Sequence, residues 1–420
     1  MKKRVWETIK TLLIVILFCT LLLLTVAAMP SDMIRSTPWL STVLQPLAPV
    51  LGLPEAELAY VEDAQPVMDA AQPLRISIRN SAGRYTAQWD FGPLDAAFET
   101  LGGMLGQALD TAGTFTTVRA DRLPQALSQP SVCFDYGFML SAQLPASWLE
   151  ATTAQQADVQ GRMFILAIED GQVNLYLSGE ECLRAETDIN PDTLSALLEQ
   201  FRPDDSRFAF ETDSHLTMLA MIPGSDPAIQ AALSSSPCDS RYIESLATAL
   251  GFNPYDETRY TDNAGVTYFS ETSCSLQIAT SGQILLTSDS AERFHADGST
   301  TEILVEEARS MIQLAMGDIL GDARMYLSGV SRDGDETIVT FDYVLNGIPV
   351  SCGSRPAATI TFSGRAMTSM ELLAAVLTCT DEPMKILPPT QVAAIMPNGS
   401  DLVLQYHRSA DGTMTAGWVK

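Results

Sequence analysis

The stretch TFDYVLNGIPV, residues 340–350, predicts a β-hairpin. Apolar and aromatic residues, among them Phe341 and Tyr343, occupy every second position, which is typical of a half-buried strand. Asn346 and Gly347 then separate two apolar runs, and this dipeptide is a strong short-range hairpin signal because both of its residues readily adopt positive φ. The hairpin predicts a sheet in the last third of the chain.

Working outward from this hairpin, helical and strand-like segments alternate along the chain. Apolar residues at helical spacing predict helices over residues 94–113, 190–201, 241–253, 302–320 and 368–378, the last with a Thr368/Glu371 capping box. Strand patterns cover residues 74–80, 83–91, 131–140, 161–178, 265–271, 274–288, 323–350, 357–364, 401–407 and 413–420. A helix followed by hairpins recurs, so the predicted class is α+β, with antiparallel sheets and packed helices in two or three modules.

Composition narrows the possible functions. The chain has 420 residues, a hydrophobic fraction of 46% and a charged fraction of 18%, which indicates folded domains and not disorder. The net charge of −26 is strongly acidic. A surface of this sign repels phosphate groups and anionic lipid, which excludes nucleic acid as a binding partner.

The N-terminus predicts a single membrane anchor. Residues 11–28 carry no charge, and a helix of this length spans about 27 Å, close to the hydrocarbon core of a bilayer. Lys2, Lys3, Arg4 and Lys10 precede the apolar run, so the positive-inside rule places the short tail in the cytoplasm and the body outside the cell. A cleaved signal peptide is the alternative, although its apolar region would usually be shorter.

The anchor also contains four small side chains that could pack against another membrane helix. They are Cys19, Thr20, Thr25 and Ala28, and Thr20 and Ala28 lie on nearly one face. Helix association in a bilayer depends on close packing and on a few polar contacts, which small residues permit. The alternative is that any anchor contains some small residues, and Thr20 can satisfy its hydroxyl on its own helix.

Breaks in composition and pattern divide the chain into six predicted parts. These are a cytoplasmic tail (1–10), the anchor (11–29), a Pro-rich spacer (30–70), an N-terminal α+β domain (71–205), a central α+β domain (206–300) and a C-terminal α+β domain (301–420).

The motifs of enzymes and metal proteins are missing from the sequence. The three histidines, His215, His295 and His407, are far apart, and neither HExxH nor GxSxG occurs. The acidic run after Asp333 lacks the other ligands of a calcium loop and predicts a hairpin turn. Seven cysteines form no CxxC pair, and Cys133 and Cys274 fall in strand-like stretches that predict core positions. We therefore predict no catalytic residue, no metal and no cofactor, although an unmarked carboxylate pair stays open.

Several segments, taken in order, resemble one family. They are AQPLRISI (71–78), VCFDYGFMLSAQLPASWL (132–149), SLATALGFNPYDETRYTDNAGVTYF (245–269), YLSGVSRDGDETIVTFDYVLNGIPV (326–350) and a terminal strand pair with Tyr406 and Trp418. Together with the basic tail and single span, these segments resemble the YycH/YycI family of Gram-positive accessory proteins. The length and the N-terminal module are more similar to YycH, and the last third resembles YycI and PepSY modules.

The resemblance implies a regulator and not an enzyme. Members of the family associate with the cell-wall sensor histidine kinase WalK, through transmembrane helices and extracellular domains, and adjust its activity. The implied partners are therefore a sensor kinase and a second YycH/YycI-type protein, with the lipid bilayer contacted through one helix. Two alternatives stay open, an extracellular wall-polysaccharide hydrolase with an unmarked carboxylate pair and a PepSY-like ligand-binding or protease-inhibitory module.

Overall fold

The computed structural model describes residues 70–151, 159–255, 259–289, 293–317, 319–409 and 412–419, all within one compact unit. The predicted anchor, with Cys19, Thr20, Thr25 and Ala28, lies outside the described residues. Within these ranges, no helix combines the length and the apolar character that crossing a bilayer requires.

The first sheet is formed by the N-terminal part of the described chain. Its strands are β1 (Arg75–Arg79), β2 (Arg84–Ala87), β3 (Thr116–Val118), β4 (Ser131–Ser141), β5 (Gln160–Glu169), β6 (Gln172–Ser178) and β7 (Cys182–Glu186). They lie in the order β2-β1-β4-β5-β6-β7-β3, and neighbouring strands are antiparallel. Its helices are α1 (Phe91–Thr111), α2 (Arg122–Leu127), α3 (Gln143–Trp148) and α4 (Pro191–Leu198).

Helix α1 follows the predicted pattern and covers the first sheet. Asp90 is its N-cap, and the side chain of Asp90 accepts a hydrogen bond from the Gly92 amide. Leu94, Leu101 and Leu105 recur at helical spacing and are buried with residues of the first sheet. Helix α4 begins as predicted, with Asn190 as N-cap and Pro at the first position.

The second sheet takes strands from the rest of the chain, after a short ribbon of β8 (Arg207–Phe208) and β9 (Met221–Ile222) joined through a 3₁₀ turn (Ala209–Glu211). Its strands are β10 (Ile229–Ser235), β11 (Tyr260–Thr261), β12 (Val266–Ser270), β13 (Cys274–Ala279), β14 (Gln283–Ser288), β15 (Ala323–Asp333), β16 (Glu336–Leu345), β17 (Ile348–Ser351), β18 (Ala358–Ser363), β19 (Ala366–Leu373), β20 (Val376–Met384), β21 (Val403–Arg408) and β22 (Thr413–Val419). Helices α5 (Ser240–Ala249), α6 (Thr301–Met316) and α7 (Pro389–Ile395) accompany it.

The second sheet runs in the order β11-β12-β13-β14-β19-β18-β16-β17-β21-β22-β10-β20, and β15 pairs with β16. The β17–β21 pair is parallel, whereas the β16–β17 hairpin and the β21–β22 pair beside it are antiparallel. The sheet therefore contains strands from both sides of the predicted boundary at residue 300 between the central and C-terminal domains. The division of the chain into six parts stays a prediction. Buried apolar residues of both large sheets belong to one continuous cluster.

The hairpin over residues 340–350 forms as predicted, and its turn contacts the start of α1, the helix that covers the first sheet. Asn346 and Gly347 have φ of 48° and 81°, and Leu345 pairs with Ile348 across the turn. The Asn346 side chain accepts a hydrogen bond of 3.5 Å from the Phe91 amide, at the start of α1. A Cβ atom on Gly347 would lie 2.7 Å from the Asp90 amide nitrogen, so only glycine allows this approach.

One predicted helix is wrong. Residues 368–378 lie in β19 and β20 and not in a helix. Met370 pairs with Ile360 on one side and with Leu286 on the other, so long-range ladders outweigh the local helix propensity of this segment. The Thr368 hydroxyl donates to the Thr361 carbonyl instead of capping a helix.

Two glycines in hairpin turns, Gly347 and Gly334, allow a test of the close contact between Gly347 and the backbone of Asp90. We expect Gly347→Ala to lower the free energy of unfolding by about 3 kcal/mol or more, because positive φ and a backbone clash add together. Gly334, with φ of 61°, turns the β15–β16 hairpin, and a Cβ there would meet nothing within 4 Å. Gly334→Ala should therefore cost only about 1–2 kcal/mol, the strain of positive φ alone. Denaturant unfolding of both variants measures the difference, and equal losses would contradict the close contact.

Candidate functional site

A cleft between the two large sheets brings charged and aromatic side chains together. The cleft has a volume of about 380 Å³. From the first sheet and the segment after β2, it is lined by Arg75, Gln88, Trp89, Asp135, Tyr136, Gly137, Phe138 and Arg162. From the second sheet, it is lined by Tyr326, Ser328, Asp342, Val344, Pro349 and Val403, with Asp401 and Leu402 just before β21. We call this the inter-sheet cleft.

A chain of ion pairs forms its floor. Asp135 on β4 is only 3% exposed and pairs with Arg75 on β1. Arg162 on β5 contacts Asp135 through Nε at 3.1 Å, and its Nη2 contacts Asp401 at 2.7 Å. Because Asp401 precedes β21, the second contact joins the first sheet to the second. Charge-assisted pairs of this kind are among the stronger hydrogen bonds.

An irregularity in β4 helps to stabilise the buried carboxylate of Asp135. The β4–β5 register shifts between Asp135 and Leu140, and Gly137 there has φ of 80°. The Gly137 amide then donates to the Asp135 carboxylate at 2.9 Å, which gives the buried anion a further donor. A β-bulge thus positions the carboxylate under the cleft.

The two arginines keep Asp135 ionised. Burial alone raises the pKa of this carboxyl, but the charges of Arg75 and Arg162 and their hydrogen bonds outweigh burial and hold the pKa below its usual range. For Arg162, burial lowers the pKa, and Asp135 and Asp401 more than offset it, so that the pKa is raised. A carboxyl with a lowered pKa is a poor general acid at neutral pH, and Asp135 therefore does not suit that role in a hydrolase.

A second surface, beside the inter-sheet cleft, is apolar. It is lined by Lys385, Ile386, Leu387, Val392, Ile395, Met396, Pro397, Ala416, Gly417 and Trp418, and we call it the C-terminal groove. Ile395 is 71% exposed and Leu387 is 51% exposed. Trp418 donates its indole N–H to the Leu387 carbonyl at 2.9 Å and meets Trp89 of the cleft edge-on, with ring centroids 5.4 Å apart. The two surfaces therefore share an aromatic boundary.

None of the three histidines lines the inter-sheet cleft. His215 contacts the Met396 carbonyl at 2.6 Å, His295 lies in a bridge with Ala366, and His407 is exposed within β21. Among the described residues, no group of three or more His, Cys, Asp or Glu could hold a metal ion. The acidic run after Asp333 is the predicted hairpin turn, with Asp333 paired to Glu336.

The described cysteines are all free thiols. Cys133 and Cys274 are buried in strands, as predicted. Burial raises the pKa of Cys133 to about 12 and that of Cys352 to about 11, so neither thiol forms a nucleophilic thiolate at neutral pH.

Sequence reasoning missed the ion-pair chain under the cleft. One local signal was present, because Asp135 interrupts the apolar strand SVCFDYGFML, and buried charges require partners. The partners Arg75, Arg162 and Asp401 come from distant parts of the chain, and no pattern in the sequence connects them.

The stability of the ion-pair chain should depend on pH. A folded pKa below the unfolded value of about 4 means that Asp135 stabilises the fold above that pH, and that this contribution is lost as the pH falls through the lower, folded pKa. We expect Asp135→Asn to lower the free energy of unfolding by about 3–5 kcal/mol at neutral pH, because it leaves buried arginine charge uncompensated. The difference from the unmodified protein should shrink below about pH 4.

The control for this prediction is Asp121, whose pair with Arg119 is exposed. Asp121→Asn removes the same formal charge and should change the free energy of unfolding by no more than about 1 kcal/mol. Urea titrations at several pH values measure both variants. A pH-independent difference for Asp135→Asn would contradict the assignment.

Comparison with known proteins identifies the fold. No protein-family model and no curated protein matches the chain. The crystal structure of YycH from Bacillus subtilis is similar to this chain with a TM-score of 0.52 and 9% sequence identity, over 86% of this chain and 98% of that one. At this identity the similarity establishes the fold alone. The resemblance to YycH that the sequence indicates is therefore confirmed at that level: the described chain is an α+β protein with antiparallel sheets and few helices, arranged as in YycH.

Proposed function

We propose that this protein is a membrane-anchored, extracellular accessory protein that regulates a cell-wall two-component sensor kinase through protein–protein contacts. It has one N-terminal helix in the membrane, the tail in the cytoplasm and the α+β modules outside the cell. Its partners are the sensor histidine kinase and a second accessory protein of the YycH/YycI type. It has no catalytic activity of its own.

The observation that carries the proposal is the similarity to the YycH fold, which covers 86% of this chain and 98% of that one. One fold hosts many functions, so a proposed function also needs support from the surface of the protein. The surface gives that support, because the C-terminal groove exposes large apolar side chains such as Ile395 and Leu387. Clustered exposed apolar residues next to polar ones are typical of protein contact surfaces.

The hydrolase alternative has less support. A glycosidase needs one carboxylic acid with a raised pKa beside a second carboxylate. In the inter-sheet cleft, Asp135 has a lowered pKa and Asp401 is paired with Arg162. Burial and the nearby Asp297 raise the pKa of Glu307, but Glu307 lies on α6 and does not line the cleft.

The first test of this function is crosslinking of the full-length protein in native membranes, with partners identified by mass. We expect a sensor histidine kinase among the partners. Ile395→Glu should reduce its recovery several-fold, because the introduced charge must be desolvated when the partner makes contact. Leu314 on α6 is 45% exposed and lies outside the C-terminal groove, so Leu314→Glu is the matched control and should leave recovery unchanged. Recovery of no sensor kinase by the unmodified protein would refute the proposed function.

The second test concerns the anchor. Cys19, Thr20, Thr25 and Ala28 provide the small side chains through which we propose that it packs against a membrane helix of the partner. Replacement of residues 11–28 by a plain leucine span should keep the protein in the membrane and weaken its effect on the kinase. The measurement is kinase output, from a reporter gene under its response regulator. If kinase output is unchanged while the variant is present in the membrane at the normal level, the protein acts on the kinase through its extracellular part alone.

A further inference from the structure

The inter-sheet cleft carries one negative charge without a matching positive one. Its lining contains two arginines, Arg75 and Arg162, and three aspartates, Asp135, Asp342 and Asp401. Arg75 forms an ion pair with Asp135, and Arg162 forms ion pairs with Asp135 and Asp401. Asp342 has no ion pair with any described residue; it accepts one hydrogen bond, from the Ala357 amide at 3.0 Å. The cleft is therefore suited to a cation and not to an anion.

The sheet holds Asp342 in a fixed direction. It lies in β16 between Thr340 and Val344, and Val344 also lines the cleft. Strand β15 places Tyr326 directly opposite Asp342. Side chains of directly paired residues lie on the same face of a sheet, so the carboxylate and the phenol line the cleft together.

Aromatic side chains line the same cleft as this carboxylate. Trp89 and Phe138 line the cleft with Tyr326, and a cation over an aromatic face gains further attraction. Trp89 has φ of 60°, which is a genuine outlier for a bulky residue. Strain of this kind costs about 1–3 kcal/mol and is found where the surrounding structure holds a side chain for a function.

We propose that the inter-sheet cleft receives the arginine or lysine side chain of an otherwise apolar segment of a protein partner. The charged group pairs with Asp342, and its alkyl stem lies against Trp89 and Phe138. Apolar residues of the same segment follow the Trp89–Trp418 boundary into the C-terminal groove. The inference rests on the proposed function for the identity of the partner. The net charge of −26 favours the approach of a segment that carries a positive side chain.

A direct experiment uses two probes, the peptides Ac-Leu-Arg-Leu-NH₂ and Ac-Leu-Gln-Leu-NH₂, titrated into the full-length protein in detergent. Calorimetry should show that the arginine peptide binds at least ten-fold more tightly, which corresponds to about 1.4 kcal/mol. Asp342→Asn should remove this preference, and it should preserve the fold because the asparagine oxygen can still accept from Ala357. Asp335 is exposed in the β15–β16 turn, so Asp335→Asn makes the same charge change and should keep the preference.

Equal binding of both peptides to the unmodified protein would refute the inference, as would an unchanged preference in Asp342→Asn. The membrane crosslinking assay separates this failure from that of the proposed function. If a sensor kinase is recovered equally with the unmodified protein and with Asp342→Asn, the cleft assignment is wrong and the regulator assignment stands. If Asp342→Asn lowers recovery at least ten-fold and Asp335→Asn does not, the cleft is the docking site.

Discussion

The approach of the Asn346-Gly347 turn to the backbone of Trp89 and Asp90 is the contact on which the rest of the structure depends. It is where the hairpin at the centre of the second sheet meets the start of α1, the main helix of the first. No side chain fits between the two backbones, so their separation cannot vary without loss of the contact. The contact places Trp89 at the cleft, Asp90 at the helix N-cap and β16 along the opposite wall.

Ion pairs between the sheets reinforce this contact on two sides. Arg162 reaches Asp401 at 2.7 Å under the cleft, and Arg324 of β15 reaches Asp95 of α1 at 2.8 Å. Arg324 also lies 4.1 Å from the centre of the Phe91 ring. Partly buried pairs contribute modest net stability because desolvation offsets much of the attraction. Their clearer effect is on geometry, since a shift of one sheet against the other would leave each charge without its partner.

The inter-sheet cleft and the C-terminal groove bring paired charges, aromatic rings and apolar side chains together on one side of the fold. The carboxylates of Asp135 and Asp401 are held by arginines, and burial raises the pKa of the Cys133 and Cys352 thiols, which are protonated at neutral pH. The lining of the cleft also contains Asp342, which has no ion pair with a described residue, and the aromatic side chains Trp89 and Phe138. The apolar C-terminal groove adjoins it. The fold is similar to that of YycH at 9% identity, so the arrangement of sheets and helices tolerates nearly complete change of sequence.

The sequence by itself determined the class of fold, the turns and most of the helices. Positive φ at Asn346 and Gly347, the cap at Asn190 and the apolar face of α1 are local properties, because they depend on residues within a few positions of one another. The tertiary structure alone decided that residues 368–378 are strands, since Met370 is held by ladders to residues far away in the chain. It also decided the site. Arg75, Asp135, Arg162 and Asp401 are separated by tens to hundreds of residues, and their meeting follows from sheet register and from the docking of two sheets, which no local pattern encodes.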